Sequence, residues 1–89
     1  MQSKTLDQML SDIDPLLPHV VGQMVAEQAG EPDAGKFGQY VTWRTLQLFN
    51  LNERWRRQMM GPTRRDYLYM FAAHWLPAWQ ASRKKLTTV

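Results

Sequence analysis

The stretch GEPDAGKF, Gly30 to Phe37, places two glycines five residues apart with Lys36 directly after the second. That is the spacing of a phosphate-binding loop of the GxxxxGK[ST] type, in which backbone amides and a lysine cradle a nucleotide's phosphates. Phe37 stands where a hydroxyl would hold magnesium, and the residues before Gly30 follow a helical pattern where a strand is required. The segment therefore reads as a linker between helices. His19 and His74 are the only histidines, and neither has a His, Cys or carboxylate three or four residues away, so neither starts a metal pair on its own helix. His74 sits among apolar neighbours and is expected to be a hydrogen-bonded core residue. Asp12 and Asp14 form a D-x-D pair without the twelve-residue ligand series of a calcium loop, and Asp14 is better explained as a helix cap. Ser3, Ser11 and Ser82 follow no glycine-rich strand-to-helix turn of the kind that activates a serine nucleophile. The absence of cysteine removes disulfides, thiolate zinc sites and cysteine nucleophiles. These residue types argue against an enzyme, and no metal or cofactor is expected.

The arginines give a stronger signal. Arg54, Arg56 and Arg57 fall near the end of one expected helix, and Arg64 and Arg65 open the next, across a Gly61-Pro62 turn. Five guanidinium groups at one end of a hairpin would attract phosphates or an acidic protein surface. Cations favour a helix C-terminus, which accounts for the first three. Arg64 and Arg65 lie at a helix N-terminus, where the dipole disfavours them, so helix stability does not account for that pair.

Charge and aromaticity divide the 89 residues in two. Up to Gly35 there is one cation against six carboxylates, net −5; from Lys36 onward there are ten cations against two, net +8. All ten aromatic residues lie in the basic part. The length suits a single domain, 1–89, and the 44 % apolar content suits a folded one. No apolar run approaches the ~20 residues of a membrane span, and no basic, apolar leader opens the chain, so no membrane partner is expected and the default location is cytoplasmic.

The elements that must position these residues follow from periodicity. Leu6, Met9, Leu10 and Ile13 recur at helical spacing and predict a first helix over Ser3 to Asp14. Asp14-Pro15 reads as the cap and first turn of a second helix, with Leu16, Leu17, Val20, Val21 and Met24 inward and His19, Gln23 and Glu27 in water. Gly30 to Gly38 is the linker. A third helix is expected from about Phe37 to Met60, with Phe37, Val41, Leu48, Leu51, Trp55 and Met59 facing the core. Trp43, Leu46, Phe49 and Met60 fall on a second apolar face of that helix, which implies a second partner. Thr63 to Asp66 resembles a capping box, and a fourth helix covers Tyr67 to Trp79, with Pro77 bending or splitting it after Leu76 and Arg83, Lys84 and Lys85 in its last turn.

The sequence thus predicts an all-α, four-helix domain, a short N-terminal helix pair packed on a long antiparallel helical hairpin. Its expected work is binding. Aromatic and arginine enrichment is the composition of protein interfaces. The chain reads as a small regulator that inhibits or modulates a larger protein, for example a transcription factor or a nucleic-acid enzyme. Trp43, Leu46 and Phe49 are the expected anchors, with Arg44 at their rim, extended or paired with a carboxylate. A homodimer through the same face is expected from the short chain and its two apolar faces. The alternative is direct binding of DNA or RNA by the basic hairpin end.

Overall fold

The computed structural model describes residues 16–87. The fold is an all-α helical bundle of α1 (Leu17–Gln28), α2 (Ala34–Leu51), α3 (Glu53–Met59) and α4 (Arg64–Thr87). The expected helix over 3–14, the D-x-D pair, Ser3, Ser11 and the Asp14-Pro15 start lie outside the described residues. Within them, α1 begins at Leu17 with Pro18 in its first turn, where a missing amide costs nothing.

α1 ends in a left-handed glycine. Gly30 takes φ +77°; its amide donates to the Glu27 carbonyl at 3.0 Å and the Glu31 amide to the Ala26 carbonyl at 2.9 Å. This pair of bonds satisfies carbonyls that the helix end leaves open, in a conformation glycine adopts without a Cβ penalty. The linker is shorter than expected, because α2 is already helical at Ala34 and Phe37 and Gly38 are buried in it.

α1 packs most extensively on α2, and a glycine crossing makes that close approach possible. A Cβ on Gly22 would meet the Val41 Cγ2 at 2.8 Å, and a Cβ on Gly38 would meet both the His19 carbonyl oxygen and its Nδ1 at 2.8 Å. The buried face of α1 is accordingly Leu17, Pro18, Val21, Gly22, Val25 and Ala26, rotated from the expected one. Leu16, Val20 and Met24, expected inward, are exposed, and His19 and Gln23 are half-buried.

On α2 the core stripe steps by four: Phe37, Val41, Thr45 and Phe49, all at most 1 % exposed. Thr45, a polar residue at a core position, disguises that stripe in the sequence and makes the pattern seem to shift to Leu48 and Leu51. Leu51 is in fact 77 % exposed. The expected third helix does not run through to Met60. Asn52 adopts an extended conformation (φ −134°, ψ 112°), and its side-chain oxygen accepts the Trp55 amide at 3.0 Å, capping a separate α3. The break returns Trp55 and Met59 to the core, at 3 % and 1 % exposure. It also frees the Phe49 carbonyl from its helical donor, and Arg56 Nε supplies one at 3.0 Å, while Trp55 Nε1 donates to the Thr45 carbonyl at 3.2 Å.

α4 then runs past α2 in the opposite direction: Phe71 and Tyr67 meet Trp55, and Trp79 meets Phe37. Leu68, Ala72, Trp75 and Leu76 form its buried side. The helix begins at Arg64, three residues earlier than expected, and continues through Pro77 without splitting. Proline supplies no amide for the Ala73 carbonyl, and the solvent exposure of both residues makes that loss tolerable. His74, expected in the core, is exposed, because the core side of α4 passes through Ala72, Trp75 and Leu76 and leaves His74 on the far side.

Candidate functional site

α2 holds the four residues expected to bind a partner, and the structure separates them. Trp43 is 56 % exposed and Leu46 is half-buried, both on the outer side of the helix. Phe49, expected beside them, is 1 % exposed and belongs to the core, because it continues the four-residue step from Thr45. Arg44 is half-buried and extends across the Trp75 ring, with its guanidinium carbon 5.1 Å from the ring centre. It makes no ion pair with a described carboxylate, and its Nε is buried without a hydrogen-bond partner. The attraction between cation and ring face therefore holds Arg44 in place.

Trp43 does not stand alone. Its ring lies 6.3 Å from Tyr40, which in turn lies 5.9 Å from Phe37 and 6.5 Å from Trp79. Phe37 and Trp79 are 5.2 Å apart. An aromatic ladder thus runs from an exposed tryptophan down into the core between α2 and α4. Neither Tyr40 nor Trp79 was singled out from the sequence, although Phe37, Tyr40 and Trp43 recur every three residues, which is enough to place them along one side of a helix turn by turn.

The far end of the ladder is closed by charge. Arg83 lies over Trp79, 4.7 Å from the ring centre, and reaches back to the linker, at 2.7 Å from Asp33 and 3.8 Å from Glu31. Its expected role was to complement a helix dipole; it instead ties the linker to the last helix. The glycine-rich stretch with a phosphate-loop spacing is therefore a strap whose carboxylates engage an arginine, and its second half is the first turn of α2.

The five arginines at the opposite end are only partly available. Arg57 pairs with Glu53 at 2.9 Å, both exposed. Arg56 is committed to the Phe49 carbonyl, with its guanidinium 5.8 Å from the Phe49 ring centre. Arg64 donates to the Gly61 carbonyl at 3.4 Å, and its Nε is buried without a partner. Arg54 and Arg65 are exposed. Arg64 and Arg65 line, with Leu17 and Pro62, a hollow of about 230 Å³.

Among the described residues no group of three His, Cys, Asp or Glu side chains could hold a metal ion, and no helix is long and apolar enough to cross a membrane. His74 lines a second hollow of about 290 Å³ with Met70 and Phe71. Comparison with known protein families, with curated proteins and with solved structures finds no match to this chain.

Proposed function

We propose that this chain is a small non-enzymatic regulator that acts in the cytoplasm by binding a larger protein, such as a transcription factor or a nucleic-acid enzyme, and inhibiting or modulating it. The observation that supports this most is Trp43: a large, exposed aromatic side chain held from behind by Tyr40, whose other neighbours are the core rings Phe37 and Trp79. A tryptophan with a rigid backing presents apolar area at low entropic cost, which is what interface anchors do. Leu46 extends the surface one turn along α2. A homodimer, where it forms, uses the same pair of residues, without Phe49.

The test is capture of partners from the native host by the folded chain after nuclease treatment. A protein retained in stoichiometric amount by the wild type and lost with Trp43→Ala supports the reading. Recovery of nucleic acid alone, seen in the ultraviolet absorbance ratio before nuclease treatment, contradicts it.

A second reading, direct binding of DNA or RNA, draws on Arg54 and Arg65. Both are exposed, and neither makes an ion pair with a described carboxylate. The commitment of Arg56 and Arg57 to partners within the chain reduces the cluster's charge available to phosphates, which is why protein binding is preferred.

A further inference from the structure

α1 is apolar on two sides. Leu17, Val21, Val25 and Ala26 face the bundle, whereas Leu16, Val20 and Met24 recur every fourth residue along the outer side and are 66 %, 52 % and 36 % exposed. At about 100° per residue these three span about 80° of arc and about 12 Å of helix. Glu27, less than a turn beyond Met24, is the one Asp, Glu, Lys or Arg that α1 contains. The close crossing at Gly22 and Gly38 commits the first face to α2 and leaves the second turned outward. A helix with apolar residues on both sides is suited to lie between two partners, and the bundle supplies only one of them.

The chain itself supplies a matching occupant. Leu6, Met9, Leu10 and Ile13 fall within about 100° of arc over about 11 Å at helical spacing, and only the Asp14-Pro15 joint separates them from Leu16. Helices joined so closely lie antiparallel, side by side. About Pro15 the two apolar series are in register: Leu10 and Val20 stand five residues to either side of it, and Leu6 and Met24 nine. Asp7 and Asp12 fall about 110° to either side of the centre of the Leu6 to Ile13 stripe, so neither carboxylate is turned onto the apolar seat, and the residue that this register sets against Glu27 is Ser3. A second copy or a foreign helix would have to displace a segment tethered at the first residue of the stripe, whose effective concentration is about millimolar or higher. We infer that residues 3–14 fold back as a helix antiparallel to α1 and lay Leu6, Met9, Leu10 and Ile13 over Leu16, Val20 and Met24. α1 is thereby enclosed, and its outer stripe is withdrawn from the surfaces open to a partner. Trp43 has no part in this contact, so the inference and the proposed function stand or fall separately.

The chain has no cysteine, so paired cysteines introduced into the full chain report proximity without background. Leu10→Cys with Val20→Cys, and Leu6→Cys with Met24→Cys, are oxidised by diamide at low micromolar concentration. The control is Gln8→Cys with Val20→Cys, since Gln8 lies about 150° from the stripe. Loop closure depends only weakly on separation, so a segment with no fixed seat would close all three pairs at similar rates. The two pairs in register should close within the monomer at least about tenfold faster than the control. Amide hydrogens of residues 6–13 should also exchange at least about tenfold more slowly in the wild type than in Val20→Asp, a change at an exposed position that leaves the buried side of α1 intact. Equal closure of register and control pairs, or exchange unaltered by Val20→Asp, overturns the inference. Two further results overturn it by naming another arrangement. Disulfide-linked dimers that form ahead of the intramolecular bond give the stripe to a second copy. Faster closure of Leu10→Cys with Met70→Cys than with Val20→Cys seats the segment on the outer side of α4.

Discussion

Trp43 and Phe49 lie within two turns of one helix, yet one is half in water and the other has none. Truncation should separate them. Phe49→Ala removes a fully buried ring and should destabilise the fold by about 3–5 kcal/mol in urea unfolding. Trp43→Ala should cost under about 1 kcal/mol, since its exposed half loses little on truncation. Equal losses would contradict the placement of the two side chains. Glycine makes an equally specific claim. Because a Cβ on Gly38 would stand 2.8 Å from the His19 backbone oxygen, Gly38→Ala should destabilise by about 1–3 kcal/mol despite alanine's better helix propensity. A stabilised variant would mean that α1 and α2 do not cross there.

At the scale of elements, the decisive feature is the break at Asn52. It turns one long helix into two, brings Trp55 beneath Tyr67, Phe71 and Trp75, and leaves Leu51 outside. Asn52→Ala removes the side-chain acceptor of the Trp55 amide and should lower stability by about 1 kcal/mol, with the tryptophan fluorescence changed as Trp55 loses its fixed seat. An unchanged melt would show that the cap contributes nothing. The sequence does contain this cap, an Asn directly before Glu53 and two residues before the arginines, but the apolar period seemed continuous across it and outweighed it. The same overreach explains α1: Leu16, Val20 and Met24 are apolar at helical spacing and stay outside, because Gly22 and Gly38 let the two backbones approach and bring the neighbouring face inward. Periodicity identified the all-α class and the turn at Gly61-Pro62. It could not reveal which of two apolar faces would be buried, since small residues, not large ones, decided that. His74 lies outside for a related reason: its neighbours in sequence are apolar, whereas burial follows the contact face, as it does at buried Thr45.

At the scale of the molecule, the described part of the acidic half is tied to the basic half through the linker carboxylates. Glu31 and Asp33 hold Arg83, Glu53 holds Arg57 within the basic part, and Arg54 and Arg65 stay exposed. If phosphates were that partner, affinity for nonspecific duplex would fall steeply with salt, and Arg54→Ala and Arg65→Ala would each reduce the log–log slope by about 1. A protein partner anchored on Trp43 predicts no such slope. If the proposed homodimer forms through the same surface, light scattering at high micromolar concentration should show a dimer that Trp43→Ala weakens, and a strict monomer would remove the homodimer from the account. The central claim is the anchor itself. Its most direct test is the dissociation constant of the captured protein for wild type and Trp43→Ala, measured side by side on samples of equal helicity. The account predicts a loss of about 2 kcal/mol or more, roughly thirtyfold in affinity. Full affinity in the folded variant would contradict it.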